Sequence, residues 1–379
     1  MKHYFLLLVL SFSTFSTFAQ KTTDTIHSTK LNEDRVISIS LPASYGKEKN
    51  KTYPLLLVLD GDYLFEPFSG ALKFGTYWDD LPEVILVGIH QNKPFDRELE
   101  SDVDQINGLP FEKGAKFYDF IAMELLPALE KEYKISPFKI IAGHDVTAGF
   151  MNLYLYKDNP LFDAYISLSP ELPKDMETRI PTRLNAIKKP IFYYQSTADG
   201  DLKKMKEVIK TLDANIKTIQ SPNLHYQFDE FKNASHYSLV LFSIPNALYH
   251  IFGAYQPISS TEFQEKIVTL PNDYVGYLTK KYDIIEKSYG IKMPIRINDF
   301  KAIEAAILKN NAYAEFDQLA TLSQKSYPTS MLSQYHLGML YEKTGDRKKA
   351  AKAYAKAYQM EEIGNLTKDF MLEKAEQMK

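Results

Sequence analysis

The sequence predicts an α/β fold with a doubly wound, mostly parallel sheet, followed by a smaller all-α region. Strand-like apolar runs alternate with amphipathic helical segments from residue 35 to about residue 255. Two of these runs are continuously apolar, as expected for strands that helices cover on both faces. Strand signals are absent from the rest of the chain, residues 256–379. The 379 residues, 45% of them hydrophobic, suffice for one large core and a second, smaller one.

The N-terminus has the features of a signal peptide. Lys2 and His3 precede an apolar stretch over residues 4–10, and small residues lead up to Ala19. This pattern predicts a cleaved signal peptide at residues 1–19 and a periplasmic or secreted protein. The apolar stretch is too short to span a bilayer, so no transmembrane anchor is expected. The chain has no cysteine, which excludes disulfides and thiolate metal sites.

The strands and helices can be placed in order. Residues 36–41 alternate between apolar and polar, which predicts a half-buried strand, whereas residues 53–59 and 84–89 are continuously apolar. A helix is expected over residues 116–133, because its apolar residues recur along one face. The later segments follow the same alternation, with strands expected at 138–142, 164–168, 191–194 and 225–228 and a helix at 202–212.

The turn Gly143-His144-Asp145-Val146-Thr147 follows one of these strands and precedes a helical segment over residues 150–156. Strand, sharp turn and helix form the context of a nucleophile elbow, whose motif is Gly-x-Ser-x-Gly. The chain departs from that motif twice. Asp145 stands at the position of the serine, and Thr147 replaces the small residue beyond it.

Residues 256–379 predict a helical C-terminal region. Around residues 331–362, small and aromatic residues from Gly338 to Ala357 fall at the spacings of a tetratricopeptide unit. A generic helical hairpin remains the alternative. One or two such units cannot form a solenoid of their own, so the region is expected to dock on the main domain, where it offers a surface for a protein partner.

The chain resembles the esterase D and enterochelin-esterase-like branch of the α/β-hydrolases, in the secreted form with a tetratricopeptide-like extension. The resemblance implies that residues 20–255 form the hydrolase domain. It is carried by the residues around the turn and by four further segments: Tyr53-Pro54 with the following Leu59-Asp60-Gly61-Asp62, the strand at 84–89, the segment at 162–170, and Ser235-His236.

The same resemblance implies roles for site residues. Backbone N–H groups of Gly61 or Asp62 and of Val146 would form an oxyanion hole, and His236 would be the general base. An acid in the segment 196–201 would orient that histidine. Asp199 is favoured over Asp201, because Asp201 directly precedes a helix and has the position of an N-cap.

Asp145 argues against an ordinary serine-esterase cycle, and two functions follow. The first is a non-catalytic protein that binds an ester-like small molecule or serves as a scaffold. The alternative is a hydrolase in which Asp145 attacks an alkyl carbon, as in haloalkane dehalogenases and epoxide hydrolases.

Charge and composition exclude other partners. The net charge is −3, and no run of more than three Lys or Arg residues forms a basic stripe, so nucleic acid is not expected to bind. The histidines at positions 90, 144 and 250 lack His or carboxylate partners at helical spacing, and His225 lies in an expected strand, so no metal is expected. No cofactor is expected.

Overall fold

The computed structural model describes residues 21–91 and 93–379, so the predicted signal peptide lies outside the described residues. Eight strands form one sheet in the order β1-β2-β4-β3-β5-β6-β7-β8. Strands β1 and β4 both pair antiparallel with β2, and all other pairs are parallel. The strands are β1 Lys21–Ser28, β2 Glu33–Ser40, β3 Tyr53–Val58, β4 Ile85–Ile89, β5 Ile135–His144, β6 Ala164–Leu168, β7 Ile191–Gly200 and β8 Leu224–Ser235.

Helices cover both faces of this sheet. One face packs on α3 Glu112–Phe120, a π-helical turn at Ile121–Leu125, α4 Leu126–Glu132 and α6 Met176–Ala186. The other face packs on α1 Gly61–Tyr77 and α8 Leu239–Ile251. Every residue of β3, β4 and β6 is buried, as the continuous apolar runs predicted. The predicted α/β fold is therefore confirmed. The remaining helices of this part are α2 Asp96–Glu100, α5 Val146–Met151, which continues as a 3₁₀ turn at Asn152–Tyr156, and α7 Lys203–Ile216.

Two elements have no clear signal in the sequence. Strand β1 is polar and mostly exposed, and it belongs to the sheet through its backbone pairing with β2. Helix α1 begins within one residue of the end of the Leu59 run and contains Pro67, which is unfavourable inside a helix. Its N-terminus packs so closely against β4 that a Cβ on Gly61 would lie 2.7 Å from the Gly88 carbonyl carbon.

The rest of the chain is helical, and the predicted boundary at residues 255/256 falls between α8 and the next helix. The helices are α9 Ser260–Glu262, a π turn at Phe263–Ile267, α10 Tyr274–Tyr289, α11 Ile297–Lys309, α12 Glu315–Ser326, α13 Leu332–Lys343, α14 Arg347–Tyr358 and α15 Lys368–Gln377. Their apolar side chains form a core of their own. The predicted C-terminal helical region is therefore confirmed.

This region docks on the sheet through α10. Ile285 and Tyr289 belong to the core that α1 and α8 form with the sheet. The Tyr289 hydroxyl donates a hydrogen bond to the Ile251 carbonyl at 2.7 Å, and Ser136 donates one to the Tyr289 carbonyl at 3.0 Å. No helix within the described residues combines the length and apolarity that crossing a membrane requires.

Candidate functional site

The turn after β5 has the geometry of an elbow. Asp145 has φ 61° and ψ −123°, a conformation that non-glycine residues rarely adopt, and α5 begins at the next residue. The Asp145 backbone is fixed on both sides, since its N–H donates to the Leu168 carbonyl at 3.0 Å and its carbonyl accepts from Glu171 at 3.0 Å. A Cβ on Gly143 would lie 2.8 Å from the Thr147 backbone. The turn therefore requires glycine at position 143.

Thr147 fits into this turn, contrary to the expectation that a small residue is needed there. Its side chain is buried, and its hydroxyl lies 2.5 Å from Asp60 Oδ2. The same hydroxyl accepts a hydrogen bond from the His144 N–H at 3.1 Å. Because the side-chain hydroxyl has hydrogen-bond partners, Thr147 links the elbow to Asp60 at the end of β3 and does not crowd the turn.

Arg97, on α2, reaches the elbow and was not singled out in the sequence. Its Nε donates to Asp60 Oδ1 at 2.7 Å, and its Nη1 donates to Asp145 Oδ2 at 3.2 Å. Nη2 donates to the His144 carbonyl at 2.7 Å. Burial alone would lower the pKa of the guanidinium, but these hydrogen bonds and the Asp60 charge outweigh that effect and raise the pKa. Arg97 therefore holds a positive charge beside Asp145. No local motif marks Arg97, because it lies 48 residues before Asp145.

The structure places His236 opposite Asp145, as expected for the base, but the acid behind it is Asp201. His236 Nδ1 lies 2.8 Å from Asp201 Oδ1, and His236 Nε2 lies 3.8 Å from Asp145 Oδ1. Asp199 contacts Lys206 at 2.9 Å and accepts from the Asn233 N–H. The preference for Asp199 was therefore wrong. Helix α7 begins after Leu202, so Asp201 is not its N-cap and its side chain is directed to the histidine.

The surroundings of Asp201 keep its carboxylate ionised. Burial alone would raise its pKa, but hydrogen bonds from His236, from the Thr197 hydroxyl and from the Ala198 N–H at 2.9 Å together hold the pKa well below its usual range. The side chain has no exposed surface. Asp201 therefore carries a fixed negative charge, and the proton between the two side chains stays on His236 Nδ1.

The expected oxyanion donors lie at two helix N-termini beside the elbow. Gly61 and Asp62 are the first two residues of α1, and Val146 is the first residue of α5. N–H groups in the first turn of a helix have no acceptor within that helix. The Asp62 side chain is directed elsewhere, since it accepts from the Gln91 N–H and contacts His90 at 2.7 Å.

His144 and two tyrosines complete the surroundings. His144 Nε2 donates to the His236 carbonyl at 3.0 Å, and its Nδ1 lies 2.9 Å from the Tyr63 hydroxyl. Burial, reinforced by the nearby His236, lowers the pKa of His144, so the ring is neutral and its Nδ1 accepts from Tyr63. The exposed ring of Tyr237 stands edge-on to His236, with centroids 5.2 Å apart.

A carboxylate cluster beside the site, formed by Glu33, Asp96 and Glu100, has the spacing of a metal site. Three cations already neutralise it, one of which is Lys93, 3.5 Å from Glu33. The fully buried Arg35 pairs with Glu33 and Glu100, and Lys113 pairs with Asp96 and Glu100. The chemistry of this set is therefore that of an ion-pair network, which fixes the helix that carries Arg97.

Comparisons with known proteins agree with this architecture. Residues 28–196 match the model of a family described as "Putative esterase". No curated protein matches the chain. An uncharacterised protein from Capnocytophaga ochracea superposes with a TM-score of 0.86 at 28% identity, over 95% of this chain and 99% of that one.

Two further solved structures share the fold at lower identity. An IroE-like serine hydrolase from Shewanella oneidensis has a TM-score of 0.61 at 19% identity, over 81% of this chain and 99% of that one. The BES protein from Bacillus cereus has a TM-score of 0.52 at 18% identity, over 65% and 98%. Residues 28–196 thus match an esterase family model, and these solved structures share the α/β fold of the chain.

Proposed function

We propose that this protein is an exported member of the esterase-like hydrolases that binds a small molecule at the elbow and does not hydrolyse esters through an acyl-enzyme. The observation that carries the proposal is the carboxylate of Asp145 at the nucleophile position, bound by Arg97 at 3.2 Å. In this proposal the helical region, with a tetratricopeptide-like unit at α13 and α14, serves as the surface for a protein partner. Its support is the spacing of small residues in that hairpin.

The chemistry of a carboxylate supports the loss of esterase activity. Attack by Asp145 on an ester carbonyl would form an anhydride, whose carboxylate leaves far more readily than the alcohol does. The addition would therefore revert instead of proceeding. No hydroxyl of a described residue forms a hydrogen bond with His236 Nε2, so a replacement serine or threonine nucleophile is not in place.

A second candidate is hydrolysis of an alkyl substrate, favoured by the order Asp145, His236, Asp201 in space. In that reaction Asp145 Oδ1 attacks an sp³ carbon, and the bond to a halide breaks as the halide leaves with the electron pair. His236 then removes a proton from the water that hydrolyses the resulting alkyl ester. The Arg97 bond to Asp145 makes this candidate weaker, because it withdraws charge from the attacking carboxylate.

Esterase assays test the first proposal. The purified mature chain, incubated with p-nitrophenyl acetate and butyrate and with a fluorophosphonate probe, is expected to show no turnover that depends on His236. His27→Ala is the matched control, because that histidine is exposed on β1 and its ring pairs with the surface carboxylate of Asp34. Turnover that His236→Ala abolishes and His27→Ala leaves intact would overturn the proposal.

Mass spectrometry tests the alkyl reaction. The His236→Gln variant is incubated with a panel of haloalkanes and epoxides and then digested. Accumulation of an alkyl ester on Asp145 would establish the second candidate, because the variant forms the intermediate but cannot activate water. An unmodified Asp145 peptide across the panel is the result expected here.

Export is tested separately. N-terminal sequencing of the protein recovered from the periplasm or the medium is expected to begin at Gln20, the residue after the predicted signal peptide.

A further inference from the structure

We propose that the ligand class of this site is a primary ammonium attached to an aromatic or arylalkyl group. Its ammonium binds Asp145, and its ring lies among the exposed side chains of Tyr63, Phe95 and Tyr237, which form the rim of the site. This inference rests on the proposed binding function and names its ligand.

The charges around the elbow favour a cation. Arg97 lies closer to Asp60, at 2.7 Å, than to Asp145, at 3.2 Å, so its charge is largely balanced by Asp60. Asp145 and Asp201 are left with one imidazole, that of His236, between them. With His236 neutral or charged, the three carboxylates outnumber the positive groups. A positive ligand therefore gains Coulomb energy here, and a negative ligand loses it.

The hydrogen bonds of Asp145 leave one oxygen available. Oδ2 accepts from Arg97, whereas the nearest ring nitrogen to Oδ1, His236 Nε2, is 3.8 Å away and beyond hydrogen-bond reach. Among the described residues, none donates a hydrogen bond to Asp145 Oδ1. The side chain is 22% exposed, so a ligand can approach it from the solvent.

The position of the His236 proton selects the donor. Asp201 is ionised and accepts from His236 Nδ1, so whenever the ring is neutral its Nε2 presents a lone pair toward Asp145 Oδ1. Two acceptors that face each other call for a single atom with more than one N–H. A hydroxyl offers one donor, whereas a primary ammonium offers three and also carries the favoured charge.

The rim supplies contacts for the rest of such a ligand. Tyr237 is 76% exposed with its ring 5.2 Å from that of His236, and Phe95 is 77% exposed at the N-terminus of the helix that carries Arg97. Tyr63, which is bonded to His144, is 43% exposed. Exposed aromatic rings beside a carboxylate suit a cation through their negative faces and an apolar ring through stacking.

Isothermal titration calorimetry on the mature chain tests the ligand class. Three probes of similar size are compared, namely 2-phenylethylamine, 2-phenylethanol and 3-phenylpropionate. The amine is expected to bind at least tenfold more tightly than the alcohol, and the carboxylate is expected not to bind. Asp145→Asn should weaken amine binding at least tenfold. The control is Asp119→Asn, which should leave amine binding unchanged, because Asp119 lies on α3 and pairs with Lys30.

Tyr237→Ala provides a second variant that does not depend on the elbow, because the side chain is exposed and its loss does not threaten folding. It is expected to weaken amine binding at least threefold. Equal affinity for amine and alcohol, absence of amine binding, or insensitivity to Asp145→Asn would each overturn this inference. None of these outcomes alters the esterase assay, so the two proposals fail separately.

Discussion

At the scale of the residue, the carboxylate at position 145 changes the charge of the elbow as well as its chemistry. A partly buried carboxylate needs donors, and Arg97 supplies one while it also binds the buried Asp60. Thr147 bonds to the same Asp60. Asp145, Arg97, Thr147 and Asp60 thus form one connected polar network, and the two departures from the Gly-x-Ser-x-Gly motif belong together physically.

Asp201→Asn is expected to lower the free energy of unfolding at pH 7 by about 2 kcal/mol, because an amide cannot accept from His236, Thr197 and Ala198 at once. Urea unfolding measures this difference. Asp199→Asn is the control and should leave stability essentially unchanged, because Asp199 is exposed.

The same pair of variants has a defined pH dependence. The pKa of Asp201 is held well below its usual range in the folded protein, so its contribution is complete above the unfolded pKa, at about pH 4. The contribution is then lost as the pH falls toward the folded pKa. The difference between wild type and Asp201→Asn should be constant from pH 5 to 7 and shrink below pH 4. A difference that grows on acidification would contradict this assignment.

Asp145→Ser should create a reactive nucleophile, because the hydroxyl would stand at the strained elbow opposite His236, with Asp201 behind the imidazole. Fluorophosphonate labelling is expected to exceed that of Asp145→Ala about tenfold or more. Adding His236→Ala should remove the labelling. If Asp145→Ser remains unlabelled, the rest of the catalytic scaffold is not intact.

At the scale of the element, the close approach of α13 and α14 depends on a single small residue. A Cβ on Gly338 would lie 2.3 Å from Tyr354 Cε1, in a ring that is fully buried and whose hydroxyl is bonded to Glu342. The ring cannot move without losing this bond. The hairpin geometry is therefore set by Gly338.

Gly338→Ala is expected to destabilise the protein by about 1–3 kcal/mol, because the two helices must separate to admit the methyl group. Thermal unfolding followed by circular dichroism measures it. Gly70→Ala is the matched control on α1, where nothing lies within 4 Å of the added Cβ. That change should stabilise by up to about 1 kcal/mol through helix propensity. Equal effects of the two changes would show that packing at Gly338 is not limiting.

At the scale of the whole molecule, the helical region is attached to the α/β part of the chain by a charged contact as well as by α10. Arg296 pairs with Asp79 after α1 and donates to the Tyr255 carbonyl at 2.8 Å. Its guanidinium also lies 4.4 Å from the centre of the Tyr255 ring. The Arg296 side chain is only 10% exposed, whereas that of Asp79 is 54% exposed, so solvent reaches the ion pair from the Asp79 side.

Arg296→Ala is expected to destabilise the protein by about 2 kcal/mol and to speed proteolytic cleavage between α8 and α10. Limited proteolysis and urea unfolding measure the two effects. Lys287→Ala is the control, because its pair with Asp283 is exposed, and its effect should stay within about 0.5 kcal/mol. Cleavage that is equally fast in both variants would mean that Arg296 does not hold the two parts together.

The sequence alone determined the features that local patterns encode. Continuous apolar runs gave the buried strands β3 and β4, and the strand–turn–helix context gave the elbow at Asp145. His236 lay at the place that chain order and the family resemblance indicated. Strand β1 could not be predicted from the sequence, because its place in the sheet depends on backbone pairing and not on apolar side chains.

Only the tertiary structure decided the partners of the site. Asp199 and Asp201 differ by two positions, and the end of β7 and the start of α7 decide which of them contacts His236. Arg97 reaches Asp145 from a helix that a buried ion-pair network holds in place, far away in sequence. Such contacts depend on the relative positions of separate elements, which local sequence patterns do not encode. The sequence therefore set the chemistry available at the elbow, and the packing decided how its charges are paired.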